Sequence, residues 1–196
     1  MDSISGIASG WLAVITGATG IGALVTAVLA FVFGRTFGRV GDVLVTITTL
    51  LTAGLAMLLY PEFRAFDPQL ASIAFGLALV GASTAAFGSL LAATGATTWF
   101  LAQLYVSCGF SLVGFWLLIM NASARSLNSF PNRAINIGIL AGAVMVLGVA
   151  AIPGALARSA SEHSAPWISR YIGRAGYLGW LVLYPLWCIW LGISRI

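Results

Sequence analysis

Between Gly10 and Phe33 the chain reads GWLAVITGATGIGALVTAVLAFVF, a stretch without a charged residue and long enough to cross a bilayer. A membrane helix needs about 20 mostly apolar residues, rising about 1.5 Å each, to span a hydrocarbon layer about 30 Å thick. Five further segments meet the same condition. They run from Val43 to Tyr60, Leu70 to Ala93, Thr97 to Met120, Ala134 to Ala157 and Gly173 to Ile193. Pro61 is expected to stop the second, and Asp67-Pro68 to open the third, since proline suits a helix entrance. Only Thr94-Gly95-Ala96 separates the third from the fourth, which predicts an antiparallel hairpin. The expected fold is all-α, a polytopic transmembrane bundle of six helices forming one domain over residues 1–196. An even number of crossings places both termini on the same face.

Composition points the same way. Apolar residues make up 60% of the 196 positions and charged residues only 7%, against about 25% charged in a soluble domain. Five acids and nine bases could not cover a water-facing surface. The net charge of +4 does not indicate nucleic acid, because the arginines stand singly or in pairs between apolar segments, with no basic stripe or tail. All nine bases are Arg, and Ala and Gly abound, a codon bias expected of a GC-rich bacterial genome. No basic region precedes the first apolar run, so that run is expected to be retained as a span rather than cleaved as a signal.

Trp and Tyr favour the headgroup level. On the six-span layout Trp11, Tyr60, Trp116, Trp187 and Trp190 fall toward the terminal face, and Trp99, Trp167, Tyr171 and Trp180 toward the other. Arginines divide five to four between the faces. Around the first helix, Asp2 before it and Arg35 and Arg39 after it place the odd-numbered loops in the cytoplasm by the positive-inside rule.

A motif recurs. Arg35-Thr36-Phe37-Gly38-Arg39-Val40-Gly41 and Arg170-Tyr171-Ile172-Gly173-Arg174-Ala175-Gly176 share R-x-x-G-R-x-G, and each precedes a helix containing Leu-Tyr-Pro, at Leu59-Tyr60-Pro61 and Leu183-Tyr184-Pro185. Arg35, Arg39, Arg170 and Arg174 are candidate contacts for anionic headgroups. The plainer alternative is that arginines anchor helix ends and glycines permit close packing.

No Asp, Glu, Lys, Arg or His falls near the centre of a predicted span, with Asp42 and Arg174 at helix mouths. Proton-coupled pumps and antiporters place ionisable groups inside the membrane, so this pattern argues against them. One histidine, His163 in a loop, cannot make a bis-His haem site or a zinc motif, and without lysine there is no retinal Schiff base. No catalytic, cofactor or metal residues are expected. Cys108 and Cys188, within spans, read as small hydrophobes. Asn121-Ala122-Ser123 matches a glycosylation sequon that a bacterial origin would make irrelevant.

The strongest intramembrane polar feature is Gln103, Ser107 and Ser111, at i, i+4 and i+8 with Gly114 close by. Thr48 and Thr52 on the second helix, and Tyr184 beside a Pro185 kink on the sixth, are expected to join it in a candidate polar face. Its two readings are a central site for a neutral or amphiphilic ligand and ordinary interhelical hydrogen bonding. Small residues mark packing faces: Gly81, Ala85 and Ser89; Ala74, Ala78, Ala82 and Ala86; and Gly138-x-x-x-Gly142. These are expected to pack within the chain or against a protein partner or a second copy.

Phe130-Pro131-Asn132-Arg133 leading into Ile137-Gly138-Ile139-Leu140-Ala141-Gly142, together with the ending Gly179-Trp180-Leu181-Val182-Leu183-Tyr184-Pro185-Leu186-Trp187-Cys188-Ile189-Trp190-Leu191-Gly192, resembles a pattern in uncharacterised bacterial six-helix integral membrane proteins. It covers about the C-terminal third and implies no site residue. The function expected is therefore a non-enzymatic inner-membrane protein that binds membrane lipids or a partner, as an accessory subunit. The alternative is a small transporter or channel for an uncharged or amphiphilic solute along the Gln103 face; a lipid-acting enzyme comes third.

Overall fold

The computed structural model describes residues 3–127 and 129–196; the side chains of residues 3–5 and of Arg35 lie outside the described part. Among the described residues the protein is helical throughout and contains no strand. Six helical crossings are long and apolar enough to span a membrane. The first four are α1 (Ser3–Phe33), α2 (Arg35–Arg64), α3 (Pro68–Thr94) and α4 (Trp99–Leu127). The fifth consists of α5 (Asn132–Val146), a 3₁₀ segment (Leu147–Ala151) and α6 (Ile152–Leu156). The sixth consists of α7 (Trp167–Leu178), a π-helical turn (Gly179–Leu183) and α8 (Tyr184–Ile193).

Each crossing exceeds its sequence-predicted apolar core at one end or both, although the fourth starts two residues late, at Trp99, and the fifth stops one residue short, at Leu156. The crossings hold 25 to 29 residues, or about 38–44 Å of helix. That covers the hydrocarbon and most of the headgroup zone. The second helix begins at Arg35 rather than Val43, because its first turns carry polar residues but still need their backbone hydrogen bonds. Pro61 does not stop it. Lying one turn from the C-terminus, it removes a single amide, and the helix continues to Arg64.

Tight turns join the first four crossings, and loop 157–166 joins the fifth to the sixth. Gly34 alone separates α1 from α2, at φ 86° in the left-handed region that favours glycine. Asp67 caps α3, its carboxylate accepting from the Gln69 and Leu70 amides at 3.1 and 2.9 Å. Gly95 ends α3 at φ 72°, and the expected α3–α4 hairpin follows. At the end of α6 the same cap is built on an arginine. Arg158 takes φ 49°, with its amide donating to Ala155 and that of Ser159 to Gly154. This is the double hydrogen bond of a Schellman cap, and holding a non-glycine residue there costs on the order of 1 kcal/mol.

Consecutive crossings pack side by side, and the sixth returns to α1, closing a ring. Gly10 of α1 touches Gly192, Arg195 and Ile196, so the start of the first crossing meets the end of the last. Arg195 seals this junction. Its guanidinium pairs with Glu62 at 2.6 Å, donates to Ser9 at 3.0 Å and lies 4.7 Å from the Phe130 ring centroid. Small residues let the backbones approach. On α3, Gly81 and Ala85 of a predicted stripe, and Gly88 outside it, meet α4 at Gly109 and Ala102, while Ser89 of that stripe turns to Thr46 of α2. Gly142 meets Gly114 across the α4–α5 seam.

The kink expected at Pro185 takes a definite form, and Pro153, which the sequence reading did not single out, has a counterpart. The π-helical turn ends two residues before Pro185, and the 3₁₀ segment two residues before Pro153. A widened or tightened turn relieves the clash between a proline ring and the preceding turn while keeping the chain helical.

Candidate functional site

The middle of the ring is occupied by aromatic side chains. Phe110 stacks on Trp180 with centroids 4.7 Å apart, Trp116 meets Trp187 edge-on at 6.0 Å, and Tyr184 lies against Trp187 at 5.9 Å. Tyr184 and Trp187 are wholly buried. The expectation that Trp116, Trp187 and Trp180 sit in a headgroup belt is therefore corrected: they face inward. Burial suits Trp187 because its indole N–H donates to Asn121 Oδ1 at 3.2 Å, supplying the partner that water would otherwise provide. Trp11, Trp99, Trp167, Tyr171 and Trp190 do face outward.

The six candidate polar residues do not converge on one surface. Gln103 donates through Nε2 to Asp42 Oδ1 of α2 at 3.4 Å, near the end of the bundle that carries loop 157–166. The Ser107 carbonyl and the Ser111 side chain lie against Gly148 in the 3₁₀ segment. Ser111 donates to the Cys108 carbonyl, whereas Ser107 Oγ is buried with no partner. Thr48 donates to Leu44 O and to Thr19 of α1. Thr52 and Tyr184 are the pair that does meet, hydroxyl to hydroxyl at 2.8 Å across the ring. The candidate face is thus divided among three different neighbours.

Two polar residues took on more than their sequence position suggested. Asn121 is not a loop residue but a fully buried member of α4, donating to Leu117 O at 2.8 Å and packed on Gly138. The signal was present, since Asn121 extends the Gln103, Ser107, Ser111, Gly114 stripe by two turns. Asp42 is not at a helix mouth but two turns inside α2 and 7% exposed. It shares a face with Thr46, whose hydroxyl lies 2.7 Å from that of Ser89. The spacing Asp42-x-x-x-Thr46 carried that information.

The arginine motif divides as well. Arg174 pairs with Glu162 at 2.7 Å, and Arg170 donates to the carbonyls of His163 and Ala165, so both fasten loop 157–166 to α7. Arg39 is exposed, and the Arg35 side chain lies outside the described part. Gly173 and Gly176 of the second copy bring α7 against Ala151 and Gly148; in the first copy Gly41 lies against Thr26 of α1, whereas a Cβ at Gly38 would meet nothing closer than 3.8 Å. The two Leu-Tyr-Pro segments differ likewise. Tyr184 is central, whereas Tyr60 is half-buried at the terminal end, stacked on Phe75 and bonded to Ser72.

Two clefts open on the outer surface. One, of about 390 Å³, is lined by Tyr105 and Cys108 of α4, Ile152, Ala155 and Leu156 of α6, and Arg158. The other, of about 330 Å³, lies at Tyr60, Pro61, Arg64 and Ala65. There Arg64 sits 5.9 Å from the Tyr60 ring centroid. Among the described residues, no group of three or more His, Cys, Asp or Glu side chains could hold a metal. Comparison with protein-family models, curated proteins and solved structures finds no match.

Proposed function

We propose that this is a non-enzymatic integral membrane protein of a bacterial inner membrane that acts through its outer surface, holding membrane lipid or a neighbouring membrane protein as an accessory subunit. The observation that carries this reading is the filled axis. A solute route needs a path between the helices, and here Phe110, Trp116, Trp180, Tyr184 and Trp187 fill that position. The acids at the ends support it too, with Glu62 committed to Arg195 and Glu162 to Arg174. A second reading, a small transporter, has one observation in its favour, the Asp42–Gln103 pair inside the bundle.

Reconstitution into liposomes separates the two. Glycerol, sodium and proton permeation are expected to match protein-free vesicles, and Gln103→Leu is expected to leave both this result and the fold intact. Saturable flux that Gln103→Leu abolishes would overturn the proposal in favour of transport.

A further inference from the structure

We infer that the cleft between α4 and α6 binds one anionic glycerophospholipid, with its phosphate on Arg158 and an acyl chain along the apolar wall; this rests on the surface-acting reading above. The polarity of the cleft follows that of a lipid. Arg158 stands just past the end of α6, at the level of the loops, while Ala155, Ile152 and Cys108 continue the wall into the helices. The volume of about 390 Å³ falls in the range of roughly 300–1,000 Å³ found for small-molecule sites. Tyr105 of α4 completes the lining.

Charge selects the occupant. Arg170 and Arg174 at this end are engaged with loop 157–166, and Glu162, the acid nearest Arg158 in sequence, is held by Arg174. The Arg158 guanidinium makes no ion pair or hydrogen bond among the described residues, leaving a complete set of donors for a phosphate. By contrast Arg64, beside the other cleft, lies against Tyr60.

The decisive variant is Arg158→Gly, which removes the guanidinium and relieves the cap, so the fold has no reason to fail. The protein is purified in mild detergent and titrated with phosphatidylglycerol or phosphatidylcholine, and bound lipid is counted by native mass spectrometry. The unsubstituted chain is expected to retain one phosphatidylglycerol in preference to phosphatidylcholine. Arg158→Gly should lower that retention about fivefold, the effect of one surface arginine on an anionic lipid, with unchanged or higher thermal stability. Arg158→Lys, Arg39→Ala and Arg64→Ala should all retain it. Equal retention by Arg158→Gly, or no preference between the two lipids, overturns the site. Either result leaves the surface-acting reading standing, because that reading fails only on flux through liposomes.

Discussion

The α3–α4 seam and the seam between the fifth and sixth crossings both rely on glycine, but on different backbones. On the first, Gly81, Gly88 and Gly109 set two unbroken helices together, with Gly109 pressed against the Ala85 amide and the Gly81 carbonyl. On the second, Gly176 faces Gly148 and Gly179 faces Met145, where one helix has tightened to 3₁₀ and the other widened to π. Close approach therefore does not require regular helices. It requires that no side chain stand between the two backbones, and the broken seam meets that condition with glycine on both sides at Gly176–Gly148 and on one side at Gly179. An unbroken helix can move only as a rod, whereas an irregular turn can adjust locally.

That difference is open to graded substitution, read by unfolding in detergent. Gly109→Ala should have the largest effect. Its new methyl would meet main-chain atoms of a rigid helix, and a loss of about 3 kcal/mol is expected, the upper end of overpacking costs. Gly176→Ala would place a methyl 2.8 Å from the Gly148 amide nitrogen, yet the neighbouring 3₁₀ turn can give way, so about 1–2 kcal/mol is expected. Equal losses from the two would show that the broken seam is no softer than the straight one. The smallest effect, with opposite sign, belongs to Gly76→Ala on the outer side of α3. Nothing lies within 4 Å of that position, and a gain of about 0.5–1 kcal/mol should follow from helix propensity alone. A loss there would mean that the outer face of α3 is covered in the membrane.

The number of crossings and their small-residue faces were legible in the sequence because both depend on local pattern: run length for the first, four-residue spacing for the second. Helix ends were less legible. Polar residues such as Thr36 and Asp42 look like loop in a hydropathy reading, but in the headgroup zone they belong to helices whose amides must stay bonded. The depth of the tryptophans was not legible at all. A belt position satisfies an indole N–H with water, and a buried one needs a partner from elsewhere in the chain. Nothing near Trp187 announces that Asn121, 66 positions away, supplies it. The candidate polar face dispersed for a similar reason. Spacing along α4 shows that Gln103, Ser107 and Ser111 point one way, but not that α2 stands opposite the first and the 3₁₀ segment opposite the other two.

The closure of the ring at Arg195 has a consequence for biosynthesis. α1 and α8 are neighbours in space yet far apart along the chain, so α1 enters the lipid well before its second flank exists. Its hydroxyls are suited to that delay. Ser9 bonds Gly6 O, Thr16 bonds Leu12 O, Thr19 bonds Thr16 O and Thr26 bonds Gly22 O, each within its own helix. A hydroxyl already satisfied by its own backbone leaves no polar debt toward the acyl chains. α1 can thus wait among lipids until α8 emerges and docks.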